Sequence, residues 1–180
     1  ARRLLSRPRL AGEEVIGLVL CGGKGTRLSG VLPAGLPKTS VRIGGIPVRE
    51  YAVFAAQSAG CSLVMNGSTP DTGTVAEVEF VRRRYRGATI LALNGDTILF
   101  GELLVPDVSG LAIVFGQNRL TGAVEPAYYV VGSEAKLSGR NIEENPTSLV
   151  FDEWLRLKFI DTGTPAGLAL ALEDARKWSS

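Results

Sequence analysis

Residues 15–20 read Val-Ile-Gly-Leu-Val-Leu, and Cys-Gly-Gly-Lys-Gly-Thr-Arg-Leu follows at once. An apolar run without alternation suits a strand buried on both faces, as in a parallel sheet. Parallel neighbours need long crossovers, usually helices, so this one run constrains the rest of the chain. The later patterning obeys it. Pro47 suits the first turn of a helix in which Val48, Tyr51, Ala52, Ala55, Ala56 and Ala59 recur at three- and four-residue steps, with Gly60 at its end. Residues 61–65 read as a second strand. Residues 74–85 read as a helix with Val75, Val78, Val81 and Tyr85 on one side, and 89–93 as a third strand stopped by Asn94-Gly95-Asp96. Residues 39–43, 111–115 and 127–131 are further strand candidates. Phe159-Ile160 leads into Asp161, and Thr164-Pro165 opens a last helix running to about Trp178. Strands alternating with helices predict an α/β fold with a mostly parallel central sheet.

At 180 residues the expectation is one domain over residues 15–180, preceded by a basic arm or linker over 1–14 that carries Arg2, Arg3, Arg7 and Arg9. That opening lacks the apolar core and cleavage site of a signal peptide. No apolar run approaches the ~20 residues that cross a bilayer. With only Cys21 and Cys61 and no CxxC, neither a disulfide framework nor a zinc site is suggested, and a reducing, cytoplasmic setting is expected. The chain contains no histidine, which removes Ser-His-Asp and Cys-His nucleophile chemistry. A net charge of +2 is too small to argue for nucleic acid as a partner. The second basic cluster, Arg82, Arg83, Arg84 and Arg86, lies near a helix C-terminus, where the dipole favours cations.

Glycines behind a buried strand let backbone N–H groups approach and hold a phosphate. Lys24, Arg27 and Lys38 add cations that a plain turn does not need. Two familiar cradles fail. Gly17 and Gly22 have the spacing of a Walker A loop, but Gly23 stands where its lysine belongs, and Leu28 occupies the third glycine position of GxGxxG.

The loop GGKGTRL followed by LPK resembles the signature of the sugar-1-phosphate nucleotidyltransferases. Gly44-Gly45-Ile46-Pro47 resembles that family's GGxP turn, and Asp71-Thr72-Gly73-Thr74 its GT element beside the base. Leu93-Asn94-Gly95-Asp96-Thr97 resembles its NGD strand end, and Phe159-Ile160-Asp161-Thr162-Gly163-Thr164-Pro165 its D-x-GTP motif. Within the family, GTRLSGVLP with LPK and FIDTGTP look most like guanylyltransferases acting on heptose or mannose 1-phosphate. The resemblance implies a Rossmann-like three-layer sandwich that joins an NTP, with GTP the best match, to a sugar 1-phosphate and releases pyrophosphate. It implies that Leu20, Gly22, Gly23, Gly25, Thr26, Gly73 and Thr74 bind the nucleotide. Arg27 and Lys38 would be the catalytic cations, and Asp96 and Asp161 would hold Mg²⁺. No membrane partner is implied, and self-association is left open.

The family's E-K-P segment is represented by Val124-Glu125-Pro126, which keeps the glutamate for sugar hydroxyls without the lysine. In the strand that follows, Tyr128 replaces a family glycine. Measured against the family the chain is short, with the shortening between Met65 and Gly73, around 116–126 and before Thr147. Three alternatives stand beside the leading reading. They are a non-catalytic relative that binds sugar nucleotides, thymidylyl- or uridylyltransferase specificity, and a nucleotidyltransferase for a molybdenum cofactor.

Overall fold

A computed structural model of the chain describes residues 14–22, 26–67, 72–151 and 156–178. The expected basic arm over 1–14 therefore lies outside the described residues except for Glu14.

The apolar run forms β1 (Val15–Leu20), buried along its whole length. It pairs in parallel with β4 (Leu63–Gly67) on one side and β5 (Thr89–Asn94) on the other. Helix α1 (Val48–Ser58) crosses from the small β2–β3 hairpin (Arg42–Ile43 and Ile46–Pro47) to β4, and α2 (Thr74–Arg84) crosses from β4 to β5. The sheet continues with β6 (Thr97–Phe100), β7 (Leu111–Asn118), β8 (Val124–Val131), β9 (Ser148–Phe151) and β10 (Lys158–Asp161), and α3 (Pro165–Trp178) closes the chain. The strand order is β4-β1-β5-β8-β7-β10-β6, with β9 also against β7.

Alternation along β1 explains the layering. Val15 and Val19 pack with Ala52 and Ala56 of α1, whereas Ile16, Leu18 and Leu20 pack with Val75, Val78 and Val81 of α2. The sheet is thus covered on both faces, the three-layer arrangement expected. Gly17 faces α1, where an added Cβ would stand 3.0 Å from the Ala56 methyl, so this glycine and the small helix face set the helix–sheet distance together.

The sheet is mixed rather than mostly parallel. β8 runs antiparallel to both β5 and β7, and β6 antiparallel to β10. The reason is the tight turn between β7 and β8, closed by the Gly122 N–H on the Asn118 carbonyl, which is too short to hold a crossover. The expected strand over 39–43 is also corrected. Lys38–Ser40 forms a 3-10 turn, and only Arg42–Ile43 is strand. Gly44 and Gly45 both have positive φ, 58° and 81°, as a two-residue hairpin turn of this hand requires.

A third cluster joins α3 to the far end of the sheet. Leu168, Ala171 and Ala175 bury Ile98, Ile160, Val48, Ile43 and Leu28. Thr164 caps α3 by accepting the Gly167 N–H at 3.2 Å. Arg119, just past β7, pairs with Asp174 of α3 at 2.7 Å and lies over the Phe100 ring, tying the β7–β8 end to the helix.

Candidate active site

The C-terminal ends of β1, β4 and β5 lie in register, Leu20 facing both Gly67 and Asn94. In open α/β sheets the crevice beyond such ends is where ligands bind. The Gly95 N–H donates to the Leu20 carbonyl at 2.9 Å. A Cβ on Gly95 would press on Cys21 Sγ and that carbonyl at 3.0 and 3.1 Å, so glycine lets the Asn94-Gly95-Asp96 turn close on the start of the loop without a shift. Burial raises the Cys21 thiol above its ordinary pKa, with Arg49 and a hydrogen bond from Thr39 opposing the shift, so Cys21 is a packing residue here.

That turn delivers Asp96, which is 7% exposed, to the floor of a cleft of about 360 Å³. Lys38, at the head of its 3-10 turn, reaches Asp96 Oδ2 with Nζ at 2.7 Å. Asp161 ends β10 opposite Thr97. Its Oδ1 accepts the Gly163 N–H at 2.8 Å, and its Oδ2 lies 3.7 Å from the Arg27 guanidinium. Arg27 belongs to a 3-10 turn anchored by the buried Leu28. Burial, reinforced by the neighbouring Asp96, raises the Asp161 pKa above its ordinary 3.8, while the Gly163 N–H, Arg27 and Lys38 oppose the rise. Glu125 lines the same cleft and accepts the Asn118 side-chain N–H at 3.0 Å.

The structure therefore brings Arg27, Lys38, Asp96, Glu125 and Asp161 to one cleft. Leu20 is buried and offers the site only its backbone. Gly22 is half-buried just past β1. Gly23 and Gly25, with Lys24, lie outside the described residues, and of Thr26 only the backbone is described. Gly73 and Thr74 do not line the cleft. Gly73, at φ 82°, packs on the Arg140 carbonyl, and Thr74 Oγ1 accepts the Ile142 N–H at 2.9 Å. They tie the start of α2 to the 140–142 segment. Tyr128 points into the core, and the cleft is lined instead by Ala127, the extra residue of a β-bulge opposite Val114 and Phe115. Reading the sequence missed Asn94, Thr97, Pro126, Ala127 and Phe159 as lining residues. Asn94, Thr97 and Phe159 belong to the same two motifs as the aspartates.

The cleft's described charged residues are two cations and three carboxylates. By itself that balance disfavours a polyphosphate, and a divalent cation held by the carboxylates would reverse it. Asp96 Oδ2 and Asp161 Oδ1 lie within 2.9 Å of a single point, the place a Gly163 Cβ would occupy. An oxygen-only pair of this kind suits Mg²⁺, which takes one or two carboxylates and fills its shell with water and phosphate. No cluster of three or more His, Cys, Asp or Glu side chains suited to a metal occurs among the described residues.

Solved structures share the fold. A Bacillus anthracis protein assigned as a glucose-1-phosphate thymidylyltransferase superposes with a TM-score of 0.62 at 14% identity, covering 90% of this chain and 95% of that one. The two chains share one fold. HddC from Yersinia pseudotuberculosis, complexed with GMP-PN, matches with a TM-score of 0.61 at 16% identity over 89% of this chain and 99% of its own. The inositol-1-phosphate CTP transferase of T. maritima matches at 0.56 and 12% over 92% and 98%. In sequence, the chain is 29% identical over 153 residues to the bifunctional enzyme IspD/IspF of Novosphingobium aromaticivorans, 74% of this chain but only 38% of that relative's length. No family model matches the sequence. Among the described residues, no helix is long and apolar enough to cross a membrane.

Proposed function

We propose that the chain is a sugar-1-phosphate nucleotidyltransferase that joins an NTP, with GTP the best match, to a sugar 1-phosphate of heptose or mannose type. One observation carries the reading: Arg27, Lys38, Asp96 and Asp161, supplied by separate segments, meet at one cleft beyond the strand ends. The nucleotidyltransferase fold supports it, and so do relatives named for a hexose or cyclitol 1-phosphate.

The reaction forms a bond between the sugar-phosphate oxygen and the α-phosphorus of the NTP and breaks the bond from that phosphorus to the β-phosphate, which leaves as pyrophosphate. A phosphomonoester with a second pKa of about 6 brings an oxygen already ionised near neutral pH. No general base is required, which agrees with a chain lacking histidine. Arg27, at the cleft mouth, offers a planar fork of donors to the triphosphate and the departing pyrophosphate. Lys38, deeper, places a point charge beside the α-phosphate. Asp96 and Asp161 would hold Mg²⁺, which when bound neutralises phosphate charge and aligns the chain of phosphates. Glu125 would accept hydroxyls of the sugar across the cleft.

The absent lysine beside Glu125 favours a second reading, a non-catalytic sugar-nucleotide-binding relative. Pyrophosphate release across GTP, CTP, dTTP and UTP with a panel of sugar 1-phosphates separates the two. Mg²⁺-dependent release, strongest with GTP, is expected. Nucleotide binding without release from any pairing would give the second reading the field.

A further inference from the structure

Thr162, in the Asp161-Thr162-Gly163 sequence, is 2% exposed. Its backbone N–H donates to the Asp96 carbonyl at 2.8 Å, and its hydroxyl donates to the same oxygen at 2.7 Å. The N–H bond alone would satisfy that buried carbonyl. The hydroxyl therefore adds fixation: it locks the Asn94-Gly95-Asp96 turn to the end of β10 across sixty-six residues of sequence.

Gly163 completes the contact from the other side. Its N–H holds Asp161 Oδ1 at 2.8 Å. A Cβ here would stand 2.6 Å from Asp96 Oδ2, 2.9 Å from Asp161 Oδ1 and 3.1 Å from an Arg27 guanidinium nitrogen. Its φ is not positive, unlike those of ten other glycines in the described chain, so the backbone does not demand glycine. Space does. The missing side chain is the volume in which three charged groups face one another.

We infer that Thr162 and Gly163 are positioning residues that set the separation of the Asp96 and Asp161 carboxylates, Thr162 by holding the Asp96 backbone and Gly163 by orienting Asp161 and leaving the gap open. The inference rests on the reading of those carboxylates as a divalent-cation pair. Neither residue touches a reacting group. Both act through the aspartates, as the outer partners of metal ligands do elsewhere.

Mn²⁺ binding to the full chain, followed by electron paramagnetic resonance alongside thermal melts, tests this without any turnover. Thr162→Val keeps shape and N–H but loses the hydroxyl, and its Mn²⁺ affinity should fall about 10-fold or more, the usual cost of removing an outer partner. Thr162→Ser restores the hydroxyl and should bind within about 2-fold of the parent, by the same reasoning. Gly163→Ala, which fills the gap, should lose at least as much affinity as Thr162→Val, and it carries the test alone if Thr162→Val does not fold. Asp96→Asn is the reference. If it loses Mn²⁺ while folded Thr162→Val and Gly163→Ala bind like the parent, the positioning role is overturned and the cation pair survives. If Asp96→Asn itself binds like the parent, the cation pair falls and the positioning role with it.

Discussion

Lys38 Nζ and Asp96 Oδ2, fifty-eight residues apart in sequence, lie 2.7 Å apart at the floor of the cleft. The pair is largely shielded, with side-chain exposures of 18% and 9%. In this state the lysine neutralises a carboxylate that a cation would also claim. A cation held by Asp96 would compete with Lys38 for that oxygen, and its binding would free the ammonium for phosphate.

Lys38→Met separates the two roles. Removing the cation leaves a buried carboxylate short of a partner, at a cost of about 1–3 kcal/mol. Turnover should drop about 10²–10³-fold, the loss typical of a charge aimed at the transition state. Added Mg²⁺ should raise the melting temperature of the variant more than that of the parent. Equal shifts in the two proteins would end the competition argument.

Arg27 makes a contrast. Its side chain is 61% exposed and its ion pair with Asp161 spans 3.7 Å, so it contributes little to the fold. Arg27→Ala should change unfolding free energy by less than about 1 kcal/mol, yet lower kcat about 10²–10³-fold. Unchanged kinetics would remove it from the catalytic set.

Asp161 carries a pH signature. Because burial and Asp96 raise its folded pKa above 3.8, the folded protein binds the proton more tightly than the unfolded chain does. This carboxylate therefore destabilises the fold at neutral pH, and the penalty fades as the pH falls through its raised pKa toward 3.8. Asp161→Asn should melt above the parent at pH 7, with the difference shrinking on acidification. A gain independent of pH in denaturation series would contradict the electrostatic cause.

Glu125 should act on one substrate only. Losing its charge in Glu125→Gln weakens charged hydrogen bonds worth about 1.5–3 kcal/mol. The KM for the sugar 1-phosphate should rise about 10- to 100-fold by that measure, with the KM for the NTP unchanged. A matching rise for both substrates would place Glu125 outside the sugar side of the cleft.

Gly17 tests the layering. With Ala56 already 3.0 Å from the position of a Cβ, Gly17→Val should overpack the α1 face. The cost is about 1–3 kcal/mol in chemical denaturation. Adding Ala56→Gly should recover part of it, because neighbouring sites couple. Strict additivity would show that the helix does not sit on the sheet as closely as described.

Sequence by itself determined the repeating units and the chemical cast. Val15–Leu20 suited a doubly buried strand, and the three-and-four spacing from Val48 and from Val75 suited helices covering such strands. The absence of histidine and the loop of glycines and cations pointed to phosphate chemistry without a general base. Those features are local, set by side-chain periodicity and backbone freedom, so one stretch is enough to read them. Tertiary structure decided everything that depends on which distant segments meet. β8 is antiparallel because a tight turn returns it along β7, and that pairing leaves no mark on its apolar pattern. Tyr128 turns into the core while the bulged Ala127 faces the cleft, because register and bulge, not residue type, choose the face. Gly73 and Thr74 meet the 140–142 segment, a contact between stretches remote in sequence. The space beside Gly163, bounded by Asp96, Asp161 and Arg27, exists only once three remote turns converge.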